Sequence, residues 1–165
     1  MKRSKFSEEQ IAYALRQAES GHAEALVAVE SALRLAPDDH ELLRVQGIAL
    51  LKLNRPAESL EPLSRALTRF PDDPRTLAAQ AASLRTLGRL EEAVAPLDKA
   101  ARLAAGDPDL RFDLGTLQAE LGRLDEATVA FERCNHLRPD DPVCLAALGS
   151  VYRRAQRPSE ARKVL

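Results

Sequence analysis

The chain has 165 residues, of which 45% are hydrophobic, 30% are charged and only 4% are aromatic. This composition is typical of a globular protein, and a core made mainly of Ala and Leu favours packed helices over a β-sandwich. Lys and Arg number 24 against 25 Asp and Glu, which argues against a nucleic-acid-binding surface, and no stretch approaches the roughly 20 apolar residues of a membrane span. We therefore expect neither nucleic acid nor a membrane as a partner.

Residues 1–21 form an atypical leader. Residues 7–10 read Ser-Glu-Glu-Gln, a capping box that marks the start of a helix. Apolar residues then recur at helical spacing, at Ile11, Ala14, Leu15 and Ala18. We expect this amphipathic helix to serve as the first helix of the fold. Residues 1–11 resemble the opening of helix-turn-helix proteins encoded by bacterial insertion sequences. The DNA-reading helix of that family does not follow, because a different helical pattern begins at His22.

The rest of the chain repeats every 34 residues. The interval separates the members of three columns: Asp39, Asp73, Asp107 and Asp141; Glu24, Glu58, Glu92, Glu126 and Glu160; Arg55, Arg89, Arg123 and Arg157. A period of this length indicates an array of small supersecondary units.

Each unit is expected to hold two helices, A and B, as residues 108–141 illustrate. Asp107 can cap helix A, and Pro108 suits its first position, where the missing N–H has no intrahelical partner. Gly122 should end helix A near Leu121, since a left-handed residue after a helix is cheapest as Gly. Helix B is predicted from Leu124 to about Leu137.

Small and large residues alternate between the two helices. Small residues recur in the middle of helix A, at Gly47, Ala81, Gly115 and Gly149. Bulky residues recur in helix B, at Val29, Leu63, Leu97, Phe131 and Leu165. A Gly inside a helix costs about 1 kcal/mol relative to Ala, so its recurrence predicts a close helix–helix approach.

These columns resemble the tetratricopeptide repeat family. The resemblance implies an all-α fold, a right-handed solenoid of helical hairpins. After the leader at 1–21, the solenoid would occupy 22–165. Counting the leader helix, its units would be 6–39, 40–73, 74–107, 108–141 and a partial unit at 142–165.

We predict no catalytic residue, cofactor or metal site. The histidines lie in different units without ligand-like spacing, at His22, His40 and His136. Cys134 takes a small core position and is expected to be a buried free thiol, with a redox pair to Cys144 as the alternative. Two cysteines are too few for a disulfide framework, so we expect a reduced, cytoplasmic protein.

The resemblance implies that the inner faces of the A helices line a groove for a peptide or a partner segment. By repeat position, the groove residues are Arg44, Ile48, Leu51, Arg75, Ala78, Ala82, Arg85, Phe112, Thr116 and Arg153. The arginines offer bidentate donors for carboxylates, and Phe112 is expected to be an exposed aromatic anchor.

A second surface is expected at the last unit. An apolar stripe at spacings of three and four comprises Leu145, Leu148, Val151 and Tyr152. A short helix from Pro158 to Leu165 is expected to leave part of it uncovered, and contiguous apolar surface usually marks an interface. We therefore expect self-association of the chain through this end, by stacking or by exchange of the terminal helix.

The sequence favours a non-enzymatic scaffold that binds another protein or peptide. The alternative is the repeat arm of a longer enzyme, such as a bacterial sulfotransferase or glycosyltransferase that carries such repeats. A catalytic domain in the reading frame beyond Leu165 would favour the arm, and a stop codon there would favour the scaffold.

Overall fold

The computed structural model of the chain describes residues 22–164. The predicted leader helix and the transposase-like segment lie outside the described residues. Between residues 22 and 164 every regular element is a helix: α1 (His22–Leu33), α2 (His40–Lys52), α3 (Pro56–Arg69), α4 (Pro74–Thr86), α5 (Leu90–Leu103), α6 (Pro108–Glu120), α7 (Leu124–Leu137), α8 (Pro142–Arg154) and α9 (Pro158–Val164). The all-α class predicted from the sequence is confirmed.

The chain divides into two compact units, Met1–Gly88 and Arg89–Leu165. In the first unit the described helices α1 to α4 each pack on the next, and α2 also touches α4. In the second unit α5 to α9 pack in the same sequential manner, and α6 also touches α8. Each unit therefore places two helices of the A type side by side, α2 with α4 and α6 with α8.

The recurring aspartates cap the A helices as predicted. The carboxylate oxygens of Asp39, Asp73, Asp107 and Asp141 accept hydrogen bonds from backbone N–H groups in the first turns of α2, α4, α6 and α8. At Asp107, for example, Oδ1 accepts from the amide of Asp109 at 2.9 Å. These bonds satisfy donors that have no partner inside the helix.

The A helices end on residues in the left-handed conformation. Gly88 and Gly122 have φ angles of +74° and +76° after α4 and α6, as predicted for helix-ending glycines. The same position in the neighbouring repeats is held by Asn54 and Gln156, with φ of +59° and +57°. The repeat geometry therefore imposes this conformation even where no Gly supplies it.

The small-against-large packing between helices A and B is also confirmed. A Cβ atom added to Gly115 would lie 2.8 Å from two ring atoms of Phe131. A Cβ atom on Gly47 would overlap the side chain of Leu63 more severely. Phe131 and Leu63 are buried, at 3% and 0% exposure. Both glycines are therefore needed for close contact between the paired helices.

The state of the two cysteines differs from the prediction. Cys134 at the end of α7 and Cys144 at the start of α8 are joined by a disulfide, with Cα atoms 6.1 Å apart. The prediction of a buried free thiol is therefore wrong, although both side chains are buried as expected for a core position. The turn between α7 and α8 brings the two positions within the Cα spacing that a disulfide requires.

Candidate functional site

Arg44, predicted to offer free donors in the groove, is engaged within the first unit. Its Nε lies 3.8 Å from Oδ2 of Asp73, and its Nη2 lies 3.7 Å from Oε1 of Glu41. The Arg44 side chain is only 15% exposed. Because Asp73 caps α4, Arg44 ties the face of α2 to the start of α4. The expectation of a free donor at Arg44 is corrected, and Arg85, farther along α4, is half-buried.

The remaining predicted groove residues of the first unit lie on α2 and α4 and differ in exposure. Ile48, Leu51 and Ala78 are half-buried, whereas Arg75 and Ala82 are exposed. Arg75 makes no ion pair with any residue in the described part of the chain. The surface thus combines an available guanidinium with small or partly buried apolar side chains.

In the second unit Phe112 contributes to the core more than the sequence implied. Its ring centroid lies 5.4 Å from that of the buried Phe131, at an interplanar angle of 56°. The Thr116 hydroxyl donates to the carbonyl oxygen of Phe112 at 2.9 Å. Both residues are half-buried. Phe112, predicted to be an exposed aromatic anchor, is therefore only partly exposed, because the small Gly115 lets the neighbouring helix bring Phe131 against this ring.

Two adjacent arginines of α8 have different environments. Arg153 is exposed and makes no ion pair with a described residue. Nη2 of Arg154 donates to the carbonyl oxygen of Ala119 at 2.9 Å and so links α8 to α6. The bridge made by Arg154 has the same effect as that made by Arg44, since each fixes one A helix against its neighbour.

The apolar stripe of α8 is not an exposed surface. Leu148, Val151 and Tyr152 are 2%, 2% and 6% exposed, and Leu145 is half-buried. The Tyr152 hydroxyl donates to Oε1 of Glu132 at 2.8 Å. Burial, and then this hydrogen bond, raise the pKa of Tyr152. The expectation of an uncovered stripe is corrected, because side chains of α6, α7 and α9 pack against it. Self-association through this end, by stacking or by exchange of the terminal helix, stays a prediction.

The described residues hold no group of three or more His, Cys, Asp or Glu side chains that could bind a metal ion. None of the helices α1 to α9 has the length and apolar character needed to cross a membrane. The A-helix faces present exposed guanidinium groups beside partly buried apolar side chains.

Comparison with known proteins agrees with this architecture. A family model described as a tetratricopeptide repeat matches residues 10–74 and 78–142. No curated protein sequence matches the chain. Among solved structures, MamA 41-end from Desulfovibrio magneticus RS-1 is 20% identical with a TM-score of 0.89, covering 99% of this chain and 93% of that one. The MamA MSR-1 structure is 25% identical with a TM-score of 0.84, covering 98% and 93%. The predicted fold class, a solenoid of helical hairpins, is confirmed.

Proposed function

Because the chain belongs to the tetratricopeptide repeat family, we propose that it is a non-enzymatic scaffold whose A-helix faces bind a peptide or a segment of another protein. Solenoids of this kind present extended surfaces built from equivalent positions of successive repeats. The proposal applies to each compact unit separately, to α2 and α4 in the first and to α6 and α8 in the second.

The observation that carries the proposal is an exposed arginine on the A-helix face of each unit that pairs with no described residue. Arg75 lies one turn from Ala78 on α4, and Arg153 lies on α8 beside the helix that bears Phe112. A guanidinium without an intramolecular partner is suited to bind a carboxylate with two parallel hydrogen bonds. The preferred segment therefore carries Asp, Glu or a free C-terminus next to an apolar side chain.

The test uses the full chain and a random peptide library displayed with free C-termini. We expect enrichment of peptides with a carboxylate beside an apolar residue, and the best peptide is then titrated by fluorescence anisotropy. The double variant Arg75→Glu with Arg153→Glu should weaken its binding at least about tenfold, because the carboxylate would meet like charge.

A matched control changes the same number of charges away from the A-helix faces. Arg34 follows α1 and Arg162 lies on α9, and both are exposed. Arg34→Glu with Arg162→Glu should leave binding unchanged. Equal losses in the two double variants would mean that net charge alone drives binding, and no loss in the first would place the binding surface elsewhere.

The location in the cytoplasm, expected from the sequence, stays a prediction.

A further inference from the structure

The second unit contains a cleft on the opposite side of α6 from the site described above. Side chains of α5, α6 and α7 enclose about 730 Å³ there. From α6 the lining residues are Arg111, Leu114 and Gln118. At 3.6 residues per turn they lie roughly 100° or more around the helix from Phe112 and Thr116. The cleft is therefore a separate surface.

Two residues that line the cleft break the repeat pattern. Arg111 stands where the other units have Leu43, Leu77 and Leu145. Gln118 stands where they have Leu50, Leu84 and Tyr152. One unit thus has two polar residues at positions that are otherwise large and apolar. In the other repeats the large apolar side chains fill the space between helices. Their replacement by Arg111 and Gln118 opens the cleft.

Gln118 has an unmet hydrogen-bonding requirement. Its side chain is 8% exposed, and its Oε1 atom is buried without a hydrogen-bond partner among the described residues. Buried polar atoms of native proteins nearly always have a partner, and an orphan calls for a specific explanation. Because this oxygen is not accessible to solvent, a bound molecule reaches it only when the Gln118 side chain turns toward the cleft.

Four of the charged side chains that line the cleft have no ion-pair partner among the described residues, whereas a fifth, Asp98, pairs with Arg102. Arg111 and Arg133 make no ion pair with a described residue, and neither do Asp125 and Glu126. In three other repeats the equivalent glutamate is held by the arginine three residues earlier, in the pairs Arg55–Glu58, Arg89–Glu92 and Arg157–Glu160. Arg123 departs from this rule, because it pairs with Glu91 of α5 and leaves Glu126 available.

The equivalent cleft of the first unit is smaller, and its lining arginine has intramolecular partners. It encloses only about 300 Å³. Arg65, which lies two repeats before Arg133, is fully engaged there. Arg65 donates to the carbonyl oxygen of Pro37 at 2.7 Å and pairs with Asp38 at 3.2 Å and Glu61 at 3.5 Å. Arg133, at the corresponding place, has none of these partners.

We propose that the cleft of the second unit is a docking site for a short protein segment of mixed charge. Asp125 and Glu126 lie in the first turn of α7, and Arg133 lies eight residues later, about 12 Å along the helix. An extended segment covers that distance in about four residues. The segment therefore carries a basic side chain at one end, an apolar residue over Leu114 and an acidic side chain at the other end. The Gln118 side chain turns toward the segment, and its Oε1 accepts a hydrogen bond from a backbone N–H of the segment.

The probe is an acetylated, amidated peptide, Lys-Leu-Ala-Leu-Glu, titrated into the ¹⁵N-labelled full chain up to about 5 mM. We expect shifts of the backbone signals of Arg111, Glu126 and Arg133 and of the Gln118 side-chain amide. Peptides with Lys or Glu at both ends should bind at least about fivefold more weakly, because each places one like charge in the cleft. Shifts confined to Phe112 would overturn the proposal.

Substitutions separate docking from folding. Arg111→Leu with Gln118→Leu restores the residue types of the other repeats, so the melting temperature should rise while the peptide shifts disappear. Arg133→Leu should weaken binding, whereas its matched control Arg65→Leu in the first unit should not.

Further outcomes would also overturn the proposal. These are the absence of shifts at any peptide concentration, unchanged binding by the Leu double variant, and equal binding by a peptide with Gln at both ends. If the same signals shift with protein concentration when no peptide is present, the occupant is a second copy of the chain, which also overturns it.

Discussion

The contact between Gly115 and Phe131 allows a prediction about protein stability. The effect of Gly115→Ala on the free energy of unfolding should change sign when the Phe131 ring is removed. A Cβ atom at position 115 would lie 2.8 Å from two Phe131 ring atoms and 3.0 Å from a third. Carbon atoms prefer separations of about 3.5–4.0 Å. The ring also packs against Phe112, which lies on the same helix as Gly115. Overpacking of this kind costs about 1–3 kcal/mol, and Ala in place of Gly in a helix recovers about 1 kcal/mol. We expect Gly115→Ala to destabilise the protein by about 1 kcal/mol.

The background Phe131→Ala removes the obstacle. Phe131 is 3% exposed, so its truncation should cost about 3–5 kcal/mol through lost burial and a residual cavity. With the ring absent, Gly115→Ala keeps only its helix-propensity gain and should stabilise by about 1 kcal/mol. The coupling energy between the two positions is then about 2 kcal/mol, within the range measured for residues in contact.

Urea unfolding of the four proteins, followed by far-UV circular dichroism, measures this cycle. The slopes with denaturant should agree among the variants, since unequal slopes would indicate that the two compact units unfold separately. If Gly115→Ala has the same sign and size in both backgrounds, the steric account of this glycine is refuted.

Three further predictions concern the caps and turns. Asp107→Ala should lower the free energy of unfolding by about 1 kcal/mol, because the first turn of α6 loses its side-chain acceptor. Asp107→Asn should lower it less, because the amide oxygen of Asn can accept the same hydrogen bonds. Gly122→Ala should destabilise by about 1 kcal/mol, since φ is +76° there, and Gly122→Asn should cost less when both are compared by thermal unfolding. The hydrogen bond from Ser159, then that from Arg157, lower the pKa of the Glu160 carboxyl from 4.5 to about 2, so NMR titration should show Arg157→Gln raising it. Because the folded pKa is the lower one, this carboxylate stabilises the fold above about pH 4.5, and the contribution is lost as the pH falls through 2.

The local architecture could be predicted from the sequence because its determinants are close in the chain. Helix α7 runs from Leu124 to Leu137, the span predicted, and α6 ends at Glu120 where an end near Leu121 was expected. An aspartate cap acts on amides two or three residues away, and a helix-ending glycine acts at its own position. A 34-residue period repeats these signals in every unit, so each prediction was supported several times over.

The surroundings of individual side chains were decided by the tertiary structure. Helical periodicity assigns Phe112 and Arg44 to one face, but their exposure depends on Phe131 and Asp73, which neighbouring helices bring close. The burial of Tyr152 likewise depends on how much of α8 the adjacent helices cover.

The cleft beside α6 combines the two kinds of information. Its sequence signal was present, since Arg111 and Gln118 interrupt apolar columns. Only the folded chain shows that Gln118 Oε1 and the Glu126 carboxylate have no partner among the described residues. A hydrogen bond or an ion pair needs atoms within a few ångströms, and the residues that could supply them here lie on different helices, far apart in the sequence.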